Sequence, residues 1–215
     1  GFDLAVLTVP EIGSIQEFQQ FVARIRSIED EELVEDEELM ETVLRYYPTL
    51  IDAKNLAIMA AADQMLLKVN DEEAIFDLHA VKFKEFRNYR FSSDEAQAQF
   101  ELYAEELSQH PIKQVRSLPE GHDLLIATVF TAIAQAPEDM HMDLVQNLFD
   151  YIDEYGVNEV TADITESISL MYDADSYPNL TPVLFQGLAE RFEQAPNFQE
   201  IATRYRAQAE ALTDN

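Results

Sequence analysis

The chain has 215 residues, 47% of them hydrophobic and 10% aromatic, a globular composition long enough for a real core. Its 42 acidic residues against 14 basic ones give a formal charge of −28, which disfavours nucleic acid and anionic membrane surfaces as partners and suits a basic protein or divalent cations. There is no cysteine, so disulfides and thiolate chemistry are excluded, and five glycines with eight prolines are too few for an all-β fold.

Helix starts are legible along the chain. Ser14 to Glu17 (SIQE) has the form of a capping box, and Ile15, Phe18, Phe21, Val22, Ile25 and Ile28 follow at steps of three and four. Asn70 with Glu73 repeats the signal before Ile75, Leu78 and Phe83. Ser92 to Glu95 (SSDE) does so before Phe100, Tyr103 and Leu107. Thr181-Pro182 reads as a cap followed by proline at the first helical position. Pro48, Pro111, Pro119, Pro137, Pro178 and Pro196 read as breaks between periodic segments. Gly156 suits a left-handed C-terminal cap.

These signals predict an all-α fold of about ten helices, near 14–28, 36–47, 50–68, 71–90, 93–109, 119–135, 138–155, 159–173, 181–194 and 197–213. Alternate helices begin about forty residues apart, the length of one antiparallel helical hairpin in an α-α repeat array. An irregular helical bundle is the other arrangement this pattern allows. The domain expectation is a single helical domain over 1–215, with a subdomain hinge near 109–119. No apolar run reaches the ~20 residues of a membrane span. The longest, Leu124 to Ala134, reads as a buried helix. The Gly1-Phe2 opening carries no signal peptide, as expected if a leader has been removed.

Few segments suggest chemistry. Residues 29–38 (EDEELVEDEE) are either a cation or basic-partner dock or a solvated, like-charged helix end. Residues 82–91 (KFKEFRNYRF) interleave basic and aromatic side chains. At helical spacing Phe83 and Phe86 belong to an inward face, with Lys82, Arg87 and Arg90 outside it. As a contact surface, Phe83, Phe86, Arg87 and Arg90 are the partner-binding candidates, because aromatics and Arg dominate interface energetics.

Glu138 and His141 have the Glu-x-x-His spacing of di-iron bundles, but the second copy is missing. Met140, His141 and Met142 could offer soft ligands to copper. Asp173 and Asp175 begin a calcium-loop pattern that fails at Pro178 and Leu184. No zincin helix, P-loop, dinucleotide fingerprint or nucleophile elbow occurs.

Three stretches, SIQEFQQFVARIRSIE (14–29), QAQFELYAEELSQHP (97–111) and NFQEIATRYRAQAEALTDN (197–215), resemble the helical N-terminal regions of exported bacterial thioredoxin-like (TlpA-type) thiol-disulfide oxidoreductases. The resemblance implies an accessory helical module, a periplasmic or exported location and a redox domain downstream. That redox domain works through a Cys-x-x-Cys pair, and this chain has no cysteine, so no catalytic residue carries over.

The functional expectation is therefore a non-catalytic helical interaction or accessory module that binds a protein partner or spaces a redox domain. No catalytic residue, cofactor or metal ligand is assigned. The alternative is a metal- or ligand-binding acidic helical bundle built on Glu138, His141 and the acidic segment.

Overall fold

The computed structural model describes residues 4–28 and 40–213, so the acidic segment 29–38 lies outside the described residues. Among them are nine α-helices and no strand. They are α1 (Ile15–Ser27), α2 (Met40–Leu66), α3 (Glu72–Tyr89), α4 (Asp94–Ser108), α5 (Lys113–Ile133), α6 (Glu138–Tyr155), α7 (Glu159–Ser169), α8 (Leu180–Phe192) and α9 (Gln199–Thr213). Short 3-10 turns occur at Leu4–Leu7, Arg90–Ser92 and Pro196–Phe198.

Two expected breaks are absent. The helices expected at 36–47 and 50–68 are one helix, α2, whose backbone runs through position 48. A proline removes a single ladder bond, and the buried stripe Leu50, Ala57, Ile58, Ala61 and Met65 holds the helix beyond it. Likewise α5 begins at Lys113, with Pro119 inside it. Here a neighbour's side chain reaches the same turn: the Tyr151 hydroxyl donates to the Ser117 carbonyl at 3.1 Å.

The caps shift by one residue from the sequence reading. Asp71 rather than Asn70 caps α3, accepting from the Ala74 N–H at 3.0 Å. Ser93 rather than Ser92 caps α4, accepting from Ala96 at 3.1 Å. Ser14 caps α1 as expected, while the Glu17 carboxylate reaches back to the N–H of Gly13, not Ser14. Asn158 and Thr161 form a full reciprocal capping box on α7. Thr181 lies inside α8, where its hydroxyl donates back to the carbonyls of Asp173 and Tyr177. Gly156, at φ +76, ends α6 in the left-handed region.

The chain divides between Val115 and Arg116 into two compact units. In the first, α2 packs on α1 and α3. Its core joins Phe18, Phe21, Val22 and Ile25 of α1 to Leu50, Ile58, Ala62 and Met65 of α2 and Leu78 of α3. In the second, α8 packs on α6 and α9. Val145, Leu148, Ile152, Ile164, Ile168, Leu184, Leu188, Phe192 and Tyr205 form that core. Burying such side chains is worth ~1.5–3 kcal/mol each and is the main term that opposes chain entropy. No described helix is long and apolar enough to cross a membrane.

Candidate functional site

Three places in the fold concentrate polar or aromatic side chains. The first is the basic, aromatic C-terminal half of α3. Phe83 and Phe86 are buried there, and their rings meet Phe100 of α4 at 5.3 and 5.7 Å, with Tyr103 at 5.6 Å from Phe86. Their burial in this aromatic core takes both residues out of any contact surface, a correction to their reading as partner-binding side chains. Lys82 is occupied as well: its ammonium lies 2.6 Å from the Asp63 carboxylate and 4.4 Å from the centre of the Tyr103 ring.

Arg87 and Arg90 do reach the surface at the end of α3. Arg87 lies in the last helical turn, where a cation complements the helix dipole. The Arg90 guanidinium stands 4.6 Å over the ring of Phe91 and 5.0 Å over that of Phe100. Burial, and then Arg87 close by, lower its pKa. Phe91 is 78% exposed. It falls just past the end of α3, where helical periodicity no longer says which way a side chain points.

The second place is a cluster that sequence reading did not anticipate, because its members lie on three elements. His79 Nδ1 is 2.8 Å from the Tyr103 hydroxyl, and the His79 and His110 rings meet edge to face at 5.2 Å. Burial, then His110 and Lys82, push the His79 pKa down to about 4, with Asp63 opposing. Burial, then Asp63 and Glu106, push Tyr103 up. At neutral pH the pair is therefore a neutral imidazole bonded to a neutral phenol. Such an imidazole is a poor base and such a phenol a poor acid, so the arrangement suits packing better than proton transfer.

The third is the Glu-x-x-His pair of α6, whose members have separate structural tasks. Glu138 caps α8: its carboxylate accepts from the Asn179 N–H at 3.1 Å, the Asn179 side-chain amide at 3.0 Å and the Leu180 N–H at 3.1 Å. These bonds lower its pKa. His141 is fully buried between Tyr172, whose hydroxyl is 3.1 Å from Nδ1, and Tyr177, whose hydroxyl is 3.5 Å from Nε2. Burial lowers its pKa too and raises that of Tyr172 to about 12. Asp173 likewise closes a local turn, accepting from the N–H groups of Asp175 and Ser176. Among the described residues no group of three or more His, Asp or Glu side chains is placed to hold a metal ion.

The apolar run Leu124 to Ala134 also differs from its expectation as a buried helix. Within it only Thr128 is buried. Leu124 and Leu125 rest against the core of the second unit, but Phe130 is 66% and Ile133 73% exposed. The N-terminal half of α5 is what the fold buries. A β-carbon at Gly121 would lie 2.5 Å from the Tyr151 hydroxyl, so glycine allows α5 and α6 to approach there. No family model matches the chain, and neither a curated protein nor a solved structure is found to be similar to it.

Proposed function

We propose that this chain is a non-catalytic helical module that binds a protein partner. The observation that supports this reading best is the pairing of Arg90 with the exposed Phe91, beside Arg87, at the α3–α4 corner. An aromatic ring and an arginine held at a surface by their own scaffold lose little side-chain freedom when a partner covers them. The polar clusters, by contrast, are taken up by capping and core hydrogen bonds. On the family resemblance of residues 14–29, 97–111 and 197–215, the module is the accessory part of an exported thioredoxin-like protein.

The test is capture of a partner from an extract of the source cell by the wild-type chain and by R87E/R90E, followed by calorimetric titration of the purified partner. The expected result is a partner whose affinity falls at least tenfold with the charge reversal while the melting temperature stays near wild type. Equal affinity for both proteins removes this corner from consideration. Sequencing the gene past Asn215 tests the accessory role, which requires a downstream segment with a Cys-x-x-Cys pair.

A further inference from the structure

We infer that the exposed half of α5 docks a cationic amphipathic helix of a partner protein. The inference rests on the reading of the chain as a protein-binding module but concerns a different face. Phe130 and Ile133 stand free on α5. Met140, 52% exposed, follows in the first turn of α6 across the short link 134–137. That link is tight. Gln135 adopts a left-handed φ of 51, and the Ala136 N–H closes the helix end by donating to the Thr131 carbonyl at 3.2 Å. The three apolar side chains are therefore carried on helix ends rather than on a loose loop. An α-helix that lays an apolar stripe on Phe130 and Ile133 would hide large hydrophobic side chains that the fold leaves in water.

Charge selects the occupant. No Lys or Arg occurs between Arg116 and Arg191, an interval that includes nearly all of α5, all of α6 and α7 and most of α8. Exposed carboxylates flank the apolar side chains along both helices: Asp123 lies seven residues before Phe130 on the same face of α5, and Asp139 is next to Met140. The arginines that follow are already paired, Arg191 with Asp153, Arg204 with Glu166 and Arg206 with Glu193. The interval offers an acidic partner no basic side chain at its surface, its histidines His122 and His141 being buried, whereas a Lys- or Arg-rich helix would be drawn in and oriented by the field. A second copy of the chain, with the same charge of −28, would be repelled.

The experiment uses three labelled synthetic helices of one pattern, Leu/Lys, Leu/Glu and Ser/Lys, read by fluorescence anisotropy at physiological salt. The Leu/Lys helix is expected to bind the full chain, at least tenfold more tightly than either of the others. F130S/I133S is expected to lose at least tenfold for the Leu/Lys helix, and so is D123K/D139K, which leaves the apolar residues intact should the first variant fold poorly. Equal binding of Ser/Lys and Leu/Lys overturns the proposal, because it would mean diffuse charge attraction alone. So does unchanged binding by the variants. A dimer in light scattering that dissolves in F130S/I133S also overturns it, by assigning the face to a second copy. Partner capture by R87E/R90E and Leu/Lys binding by the α5 variants are read in separate assays, so the failure of either reading leaves the other standing.

Discussion

Gly187 of α8 faces the ring of Phe149 of α6 so closely that a β-carbon on it would lie 2.3 Å from the ring's Cζ atom. The absent side chain is thus what lets the two helices pack. On the same ring the Arg191 guanidinium sits 4.2 Å from the centroid, held by paired bonds to Asp153 at 2.8 and 2.7 Å. The ring has no easy retreat. Alanine gains up to ~1 kcal/mol of helix preference over glycine, but overpacking a filled core costs ~1–3 kcal/mol. G187A is expected to lose about 1 kcal/mol net in urea unfolding. F149L in the same chain is expected to recover part of that loss, a coupling that double-mutant analysis would read directly. An unchanged or raised stability in G187A would contradict the packing described.

Stability should fall between pH 6.5 and 4 through His79. Its imidazole binds a proton near pH 6.5 when unfolded, whereas in the fold its pKa is about 4. The unfolded state therefore binds more protons across that window, so the contribution is present above pH 6.5 and lost as pH falls toward 4. The loss is about 2 kcal/mol, discounted for the part of the ring that meets water. Protonation of carboxylates acts the other way in so acidic a chain, by relieving self-repulsion. The informative quantity is the difference between wild type and H79Q, which can still accept from Tyr103. The two pH profiles are expected to diverge across that interval, and parallel profiles would show that His79 is not buried as described.

The Glu138 cap makes a second pH-dependent contribution of opposite chemistry. Its folded pKa is lowered by the bonds from Asn179 and Leu180. Its stabilisation is therefore present above the ordinary carboxylate pKa and is lost as pH falls through the lowered value. E138A is expected to lower the melting temperature at neutral pH and to destabilise α8 first, visible as faster amide exchange near Leu180. E138Q keeps acceptor capacity without the charge that favours a helix N-terminus, so it should lose less. Identical melting of E138A and wild type would remove the cap.

The helical class, the positions of α1, α6 and α9 and the Gly156 stop were legible because periodicity and local capping chemistry carry them. Position 48 and Pro119 misled because a proline's cost is local, whereas the packing that outweighs it comes from residues distant in sequence. The Leu124 to Ala134 run misled because apolar composition does not say which half of a helix finds a partner. Glu138 and His141 looked like a ligand pair for a related reason. Spacing put them on one helix, but Asn179, Leu180, Tyr172 and Tyr177, which engage them, come from later elements. The His79 and Tyr103 pair could have been suspected only by asking which polar residues share the inward faces of α3 and α4, and His110, in the link after α4, lay beyond even that.

Arg26 of α1 and Glu85 of α3 provide the sharpest test of the first unit's packing. Their side chains meet at 2.5 Å, and the Glu85 side chain is only 8% exposed while that of Arg26 is 47% exposed. Removing the arginine leaves a buried carboxylate without the charge that faces it, which costs far more than an exposed pair would. Because half of Arg26 meets water, the expected loss in R26A is about 1–3 kcal/mol rather than the full cost of an orphaned buried ion. E85Q relieves the buried charge, so R26A/E85Q should be more stable than R26A alone. That reversal separates an ion pair from simple loss of the arginine's methylene packing, which the second change could not restore. Additive losses in the double variant would show that the two helices are held by their apolar faces alone.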